Sequence, residues 1–134
     1  MIYIVDDGAD YRYLLEQVFS RFLSQYPVRF FAHGEELHQH LLTSPVLPAL
    51  ILLDLDMPVL DGRQTLLLLK GHAQWKRVPT VIMTSSSSGG EISQCYDVGA
   101  NSFLMKPAGF AELKQSMEII CLYWLEMNQR TKQV

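Results

Sequence analysis

Five polar residues stand where apolar runs stop. Ile2-Tyr3-Ile4-Val5 runs into Asp6 and Asp7, and Ala49-Leu50-Ile51-Leu52-Leu53 runs into Asp54. Two further strand-like runs lead to Thr84 and Lys106. Carboxylates gathered in one place raise one another's pKa unless a cation neutralises them. With only oxygen donors and no His or Cys beside them, the cation that suits Asp6, Asp7 and Asp54 is Mg²⁺, or Mn²⁺. A hydroxyl and an ammonium facing such a site meet the needs of a transferring phosphoryl group. Cation and lysine neutralise its oxygens, the hydroxyl donates a hydrogen bond, and an aspartate oxygen attacks phosphorus.

That chemistry requires elements that bring distant positions to one edge. Short unbroken apolar runs suit strands buried on both faces of a parallel sheet, and the pattern predicts strands over 2–5, 28–32, 49–54, 80–84 and 102–105. Between them, apolar residues recur at helical spacing: Tyr11, Leu14, Leu15, Val18, Phe19 and Phe22, then Leu37 and Leu41, while Leu66 to Leu69 anchor a third helix and Ile92, Cys95 and Tyr96 a fourth. A last stripe, Phe110, Leu113, Met117, Ile120, Trp124 and Met127, predicts one continuous amphipathic helix. Strand-then-helix repeated five times implies an α/β, doubly wound, five-stranded parallel sheet with right-handed crossovers. In the 2-1-3-4-5 order, strands one and three are neighbours, and Asp6, Asp7 and Asp54 meet at the topological switch point. The polar run at 85–88, followed by Gly89-Gly90, would form a loop beside that site.

The 134 residues, 49% of them hydrophobic and 19% charged, suffice for one domain with a proper core, spanning 1–134. A net charge of -3 gives no electrostatic case for nucleic acid or an anionic membrane as partner. Cys95 and Cys121 sit alone on separate predicted helices, and two unclustered cysteines make neither a disulfide framework nor a zinc site, which points to a reducing, cytoplasmic setting. The N-terminus enters a strand without a signal-peptide pattern, and no apolar run approaches the roughly 20 residues of a membrane span.

Taken together, Asp6-Asp7, Asp54 followed by Met57-Pro58 and Asp61-Gly62, Thr84 after Val81-Ile82-Met83, and Lys106-Pro107 resemble the receiver domain of two-component response regulators. The likeness covers essentially the whole chain, in order. It implies a flavodoxin-like fold in which Asp54 takes a phosphoryl group from the phosphohistidine of a sensor histidine kinase or a phosphotransfer protein. By the same resemblance, Asp6, Asp7, Asp54 and the backbone carbonyl of Asp56 hold Mg²⁺, Thr84 is the switch hydroxyl, and Lys106 is the phosphoryl and carboxylate partner, with a cis bond to Pro107. Phe103 occupies the position of the switch aromatic. Such a domain is no enzyme beyond its own phosphorylation and dephosphorylation. Trp75, Val78-Pro79, Cys95-Tyr96 and Trp124-Leu125 resemble, more faintly, the small stand-alone regulators that serve bacterial phytochrome kinases. Gly8 departs from the family pattern by leaving no third acidic residue after the pair, and Asp56 adds a negative charge near the phosphoryl group.

Two other readings share these residues. Asp54-Leu55-Asp56 imitates the nucleophile motif of haloacid-dehalogenase-type phosphatases, although their nucleophile strand comes first in the chain. A degenerate receiver, acting unphosphorylated as a binding module, is the other; intact Asp54, Thr84 and Lys106 speak against it. The chain ends about where a receiver ends, so no output domain is expected and signalling would be by protein–protein contact with a target. Once the last helix has turned its stripe inward, Ile119, Leu122, Tyr123 and Leu125 are left over. They form a candidate surface for a two-fold homodimer or for kinase docking.

Overall fold

The computed structural model describes residues 1–44, 46–85 and 88–130; positions 86 and 87 of the polar run after the fourth strand lie outside them. Five parallel strands, β1 (Ile2–Val5), β2 (Val28–Phe31), β3 (Leu50–Asp54), β4 (Thr80–Thr84) and β5 (Ser102–Met105), form one sheet in the order β2-β1-β3-β4-β5. Five helices alternate with them: α1 (Ala9–Phe22), α2 (Gly34–Thr43), α3 (Gly62–Lys70), α4 (Gly89–Val98) and α5 (Phe110–Cys121). A short 3₁₀ turn, Trp75–Arg77, precedes β4.

The strand period of two assigns each side chain to a face. Tyr3, Val5, Ile51, Leu53 and Ile82 point to one side, where they meet Leu37 of α2, Leu66 and Leu69 of α3 and Cys95 of α4. Ile2, Ile4, Leu50, Leu52, Val81 and Met83 point to the other, against Leu15, Val18 and Phe19 of α1 and Leu113, Met117 and Ile120 of α5. Because both faces are covered, β1, β3 and β4 are buried along their whole length, which is why their sequences read as unbroken apolar runs. A charged residue can then appear only where such a strand leaves the core.

The register fixes where those exits fall. Val5 pairs with Leu53, Asp54 with Met83, and Thr84 with Met105. Asp6 stays tied to the sheet through its N–H to the Phe31 carbonyl (3.0 Å), and Lys106 through its N–H to the Thr84 carbonyl (2.7 Å). β2 and β3 are each one residue shorter than the apolar runs suggest. Ala32 N–H leaves the ladder for the Glu36 carboxylate (3.2 Å), while Ala49 still donates to the Met1 carbonyl (2.8 Å) before the strand proper begins.

The two flanks of Asp54 are built differently. On one side, Gly62 N–H donates to the Leu55 carbonyl (2.9 Å), and a Cβ at Gly62 would overlap the Asp54 carbonyl and stand 2.6 Å from Leu55 Cα. Only glycine lets α3 start this close to the acceptor strand. Asp61 completes the junction with a capping box, its carboxylate accepting from Gln64 N–H (2.8 Å) and its own N–H donating to Gln64 Oε1 (2.9 Å). On the other side, α4 opens with Gly89 and Gly90, where an added Cβ would meet nothing closer than 3.8 Å among the described residues.

Two sequence expectations are corrected. No cis peptide bond occurs among the described residues, so Lys106–Pro107 is trans. The last helix is not uniform either: after Cys121 it widens into a π-helical stretch, Leu122–Met127, closed by Asn128 N–H on the Tyr123 carbonyl (2.7 Å). Each π step advances the chain by less rotation than an α step, so the apolar stripe loses phase there. Leu125, expected outside, is half-buried against the α1–α5 core, whereas Met127, expected inside, is exposed. Ile119, Leu122 and Tyr123 are exposed as expected.

Candidate functional site

The C-terminal edge of the sheet brings Asp6, Asp7, Asp54, Thr84 and Lys106 together. Asp6, Asp54 and Thr84 are buried there and Asp7 is exposed. Lys106 Nζ lies 2.7 Å from Asp6 Oδ2 and 3.3 Å from Asp54 Oδ1, bridging the ends of β1 and β3. The second oxygen of Asp6 is held from the loop, accepting Gly8 N–H at 2.8 Å. A Cβ at position 8 would stand 3.2 Å from that oxygen, so the glycine that removes a third carboxylate from the sequence also gives Asp6 room for this bond. Arg12 donates to the Asp6 carbonyl at 2.7 Å and secures the backbone of the turn.

Asp56 faces the site. Its backbone N–H donates to Asp54 Oδ1 at 3.3 Å, and its carboxylate accepts the Thr84 hydroxyl at 2.8 Å. The hydroxyl expected to serve a phosphoryl group is therefore engaged by a carboxylate in this structure. Sequence reading placed the Asp56 charge near the site but could not pair it with Thr84. Phe103 lies on β5 beside Ile82, half-buried against the α2–α4 core.

Electrostatically the site is short of positive charge. Burial, then the Asp6 charge, push the Asp54 carboxyl up to about 7 against the opposing pull of Lys106. Burial alone would lower the Lys106 ammonium, but Asp6 and Asp54 outweigh it and leave it above its ordinary value. One ammonium thus serves several carboxylates. One oxygen each from Asp6, Asp7 and Asp54 lies within 4.8 Å of the others. Three hard oxygen donors, one of them reluctant to ionise without compensation, fit Mg²⁺ or Mn²⁺.

One contributor escaped the sequence reading. Tyr11, which fits the apolar stripe of α1, turns its ring toward Lys106, with Nζ 4.7 Å from the ring centroid. Its half-burial, followed by the charges of Asp6 and Asp54, pushes its phenol up to about 12. The available signal was an aromatic residue in the first turn of a helix that begins just after the acidic pair.

A doubly wound sheet with an acidic cluster, a lysine and a hydroxyl on four of its strand ends defines the receiver class of signalling domain. The chain belongs to the response regulator receiver domain family, which matches residues 2–118. Among individual relatives, the probable methanogenesis regulatory protein FilR2 of Methanothrix harundinacea is 30% identical over 133 residues, covering 96% of this chain and 86% of that protein. In structure, the chain resembles the phosphorylated cyanobacterial phytochrome response regulator RcpA, with a TM-score of 0.89 and 27% identity over 98% of this chain and 97% of that one. The Mn²⁺-bound form of response regulator Rcp1, a Synechocystis protein, gives a TM-score of 0.82 and 26% identity over 98% of both chains.

Proposed function

We propose that this chain accepts a phosphoryl group on Asp54 from the phosphohistidine of a sensor kinase or phosphotransfer protein, and that it signals by changing its protein contacts. The observation that carries this reading is the convergence of Asp54, Asp6 and Lys106 within ion-pair distance at the end of β3, next to the Thr84 hydroxyl. An Asp54 carboxylate oxygen attacks phosphorus, the bond from phosphorus to the donor's imidazole nitrogen breaks, and that nitrogen regains a proton. A divalent cation held by Asp6, Asp7, Asp54 and the Asp56 carbonyl would neutralise phosphoryl oxygens and the clustered carboxylates. Lys106, already at the acceptor oxygen, has only to turn from the carboxylate to the phosphoryl oxygens. Thr84 reaches the same group by leaving Asp56, and Phe103 carries the rearrangement into β5. Phosphorylation in this scheme shifts a population between two packings.

The likeness to the phytochrome response regulator RcpA supports a phytochrome-type sensor kinase as donor. The two buried free cysteines suit a reducing cytoplasm, and no helix of the described residues is long and apolar enough to cross a membrane. The receiver match spans residues 2–118, and contact with a target or a second copy is the output we assign to this domain. Exposed Ile119, Leu122 and Tyr123 support a two-fold homodimer through the end of α5. With the family established, the phosphatase alternative has no observation in its favour, and the intact site leaves none for a degenerate receiver.

The test is mass spectrometry after treatment with acetyl phosphate. One phosphoryl group on Asp54, dependent on Mg²⁺ and absent from Asp54→Ala, is the expected result. Equal labelling of the variant, or labelling undiminished by a chelator, overturns the assignment.

A further inference from the structure

A lysine is a compact charge on a stem of four carbons, free to rotate about each bond. Something must hold Lys106 at the acceptor in both states of the site. Its anionic partners change during the transfer, because the Asp54 oxygen becomes part of an acyl phosphate and Lys106 turns to the phosphoryl oxygens. Asp6 has competing work as a cation ligand. Tyr11 supplies the remaining side. Its ring lies 4.7 Å from Nζ, it belongs to α1 rather than to any strand bearing a ligand, and it is half-buried against the α1–α5 core. The phenol oxygen is 3.5 Å from the Pro107 carbonyl, at the outer edge of hydrogen-bonding distance, so the hydroxyl makes only a weak contact and it is the ring face that Tyr11 presents to Lys106.

We propose that Tyr11 is a positioning residue for phosphoryl transfer, its π face holding the Lys106 ammonium between Asp6 and the acceptor oxygen of Asp54. The aromatic quadrupole attracts the ammonium whatever the charge on Asp54, so this contact persists when the carboxylate is phosphorylated. The proposal rests on the phosphoacceptor reading of Asp54. A purely structural Tyr11 would be a packing residue of α1, indifferent to the electron density of its ring.

The experiment measures the initial rate of Asp54 labelling by acetyl phosphate at saturating Mg²⁺, with the full 134-residue chain. Tyr11→Leu should lower the rate by about 3- to 10-fold, the span of a partly desolvated cation–π contact, and Tyr11→Phe should restore it. Packing alone could give the same pair of results. The deciding series therefore places phenylalanine and its mono-, di- and trifluorinated analogues at position 11, which drain the ring face at nearly constant shape. A stepwise fall in rate with each fluorine is expected, with unfolding midpoints unchanged. A flat series, with the wild type labelled normally, overturns the role of Tyr11 and leaves the phosphoacceptor reading standing. A wild type that is not labelled at all overturns both.

Discussion

Replacing Asp54 by asparagine should make the cation-free protein more stable, although it removes the acceptor. The carboxyl lies at about 7 in the folded chain against an ordinary 3.8. At 1.36 kcal/mol per pH unit, the folded state therefore pays about 4 kcal/mol to ionise it fully. Local relaxation and water at the sheet edge reduce this, and about 1–3 kcal/mol is the expected gain at pH 8. The sign follows from linkage: a carboxyl raised on folding favours the native state while both states are protonated. That contribution is intact below about pH 4 and disappears as pH rises through about 7. The advantage of Asp54→Asn should accordingly widen by about 1–2 kcal/mol between pH 5 and pH 8. Lys106 is not orphaned by the change, because Asp6 still accepts it at 2.7 Å. Urea unfolding followed by fluorescence, with the buried Trp75 as one reporter, measures the difference with chelator and with Mg²⁺. Saturating Mg²⁺ should stabilise the wild type and narrow the gap. A variant no more stable than the wild type at pH 8, or a gap that does not change with pH, would refute the claim that Asp54 is held against its own charge.

Three further outcomes are expected. Asp56→Asn should speed labelling of Asp54 by acetyl phosphate about two- to tenfold, since it removes a negative charge facing an anionic donor and weakens the charge-assisted bond that occupies Thr84; an unchanged time course would show that the carboxylate does not oppose the reaction. Val59, a β-branched residue at φ 66° and 95% exposed, should give way to asparagine with a gain of about 1 kcal/mol in thermal or urea unfolding, because asparagine tolerates the left-handed region, and no gain would mean that the turn is unstrained. Leu122→Glu/Tyr123→Glu should convert a dimer to a monomer in light scattering, and a wild type monomeric at every concentration would remove these side chains from self-association.

The sequence carried the site's framework because burial on both faces leaves a central strand no charged position except its end. Asp54 and Thr84 end such strands, and Asp6 follows another directly. Tyr11 was illegible for the opposite reason: an aromatic at stripe spacing is equally consistent with core, and its partner Lys106 is 95 positions away. The Thr84–Asp56 hydrogen bond depends on side-chain reach across two strand ends, which periodicity does not encode. Leu125 and Met127 exchanged places because a π-helical stretch shifts the phase of the stripe, and a hydrogen-bond register leaves no mark in the pattern of residue types. The isomer of the Lys106–Pro107 bond likewise depends on tertiary context, beyond what the dipeptide specifies.

The glycines around the acceptor make its two flanks unequal, one tightly seated and the other open. At Gly62 the first turn of α3 is seated on the backbone of Asp54 so closely that no side chain can enter. Displacing α3 would mean dragging the acceptor strand along with it. At Gly89 and Gly90 an added Cβ would meet no described residue closer than 3.8 Å, and glycine is a weak helix former. A partner that held the α3 side would therefore also hold the backbone of the acceptor, whereas one that held the start of α4 would not.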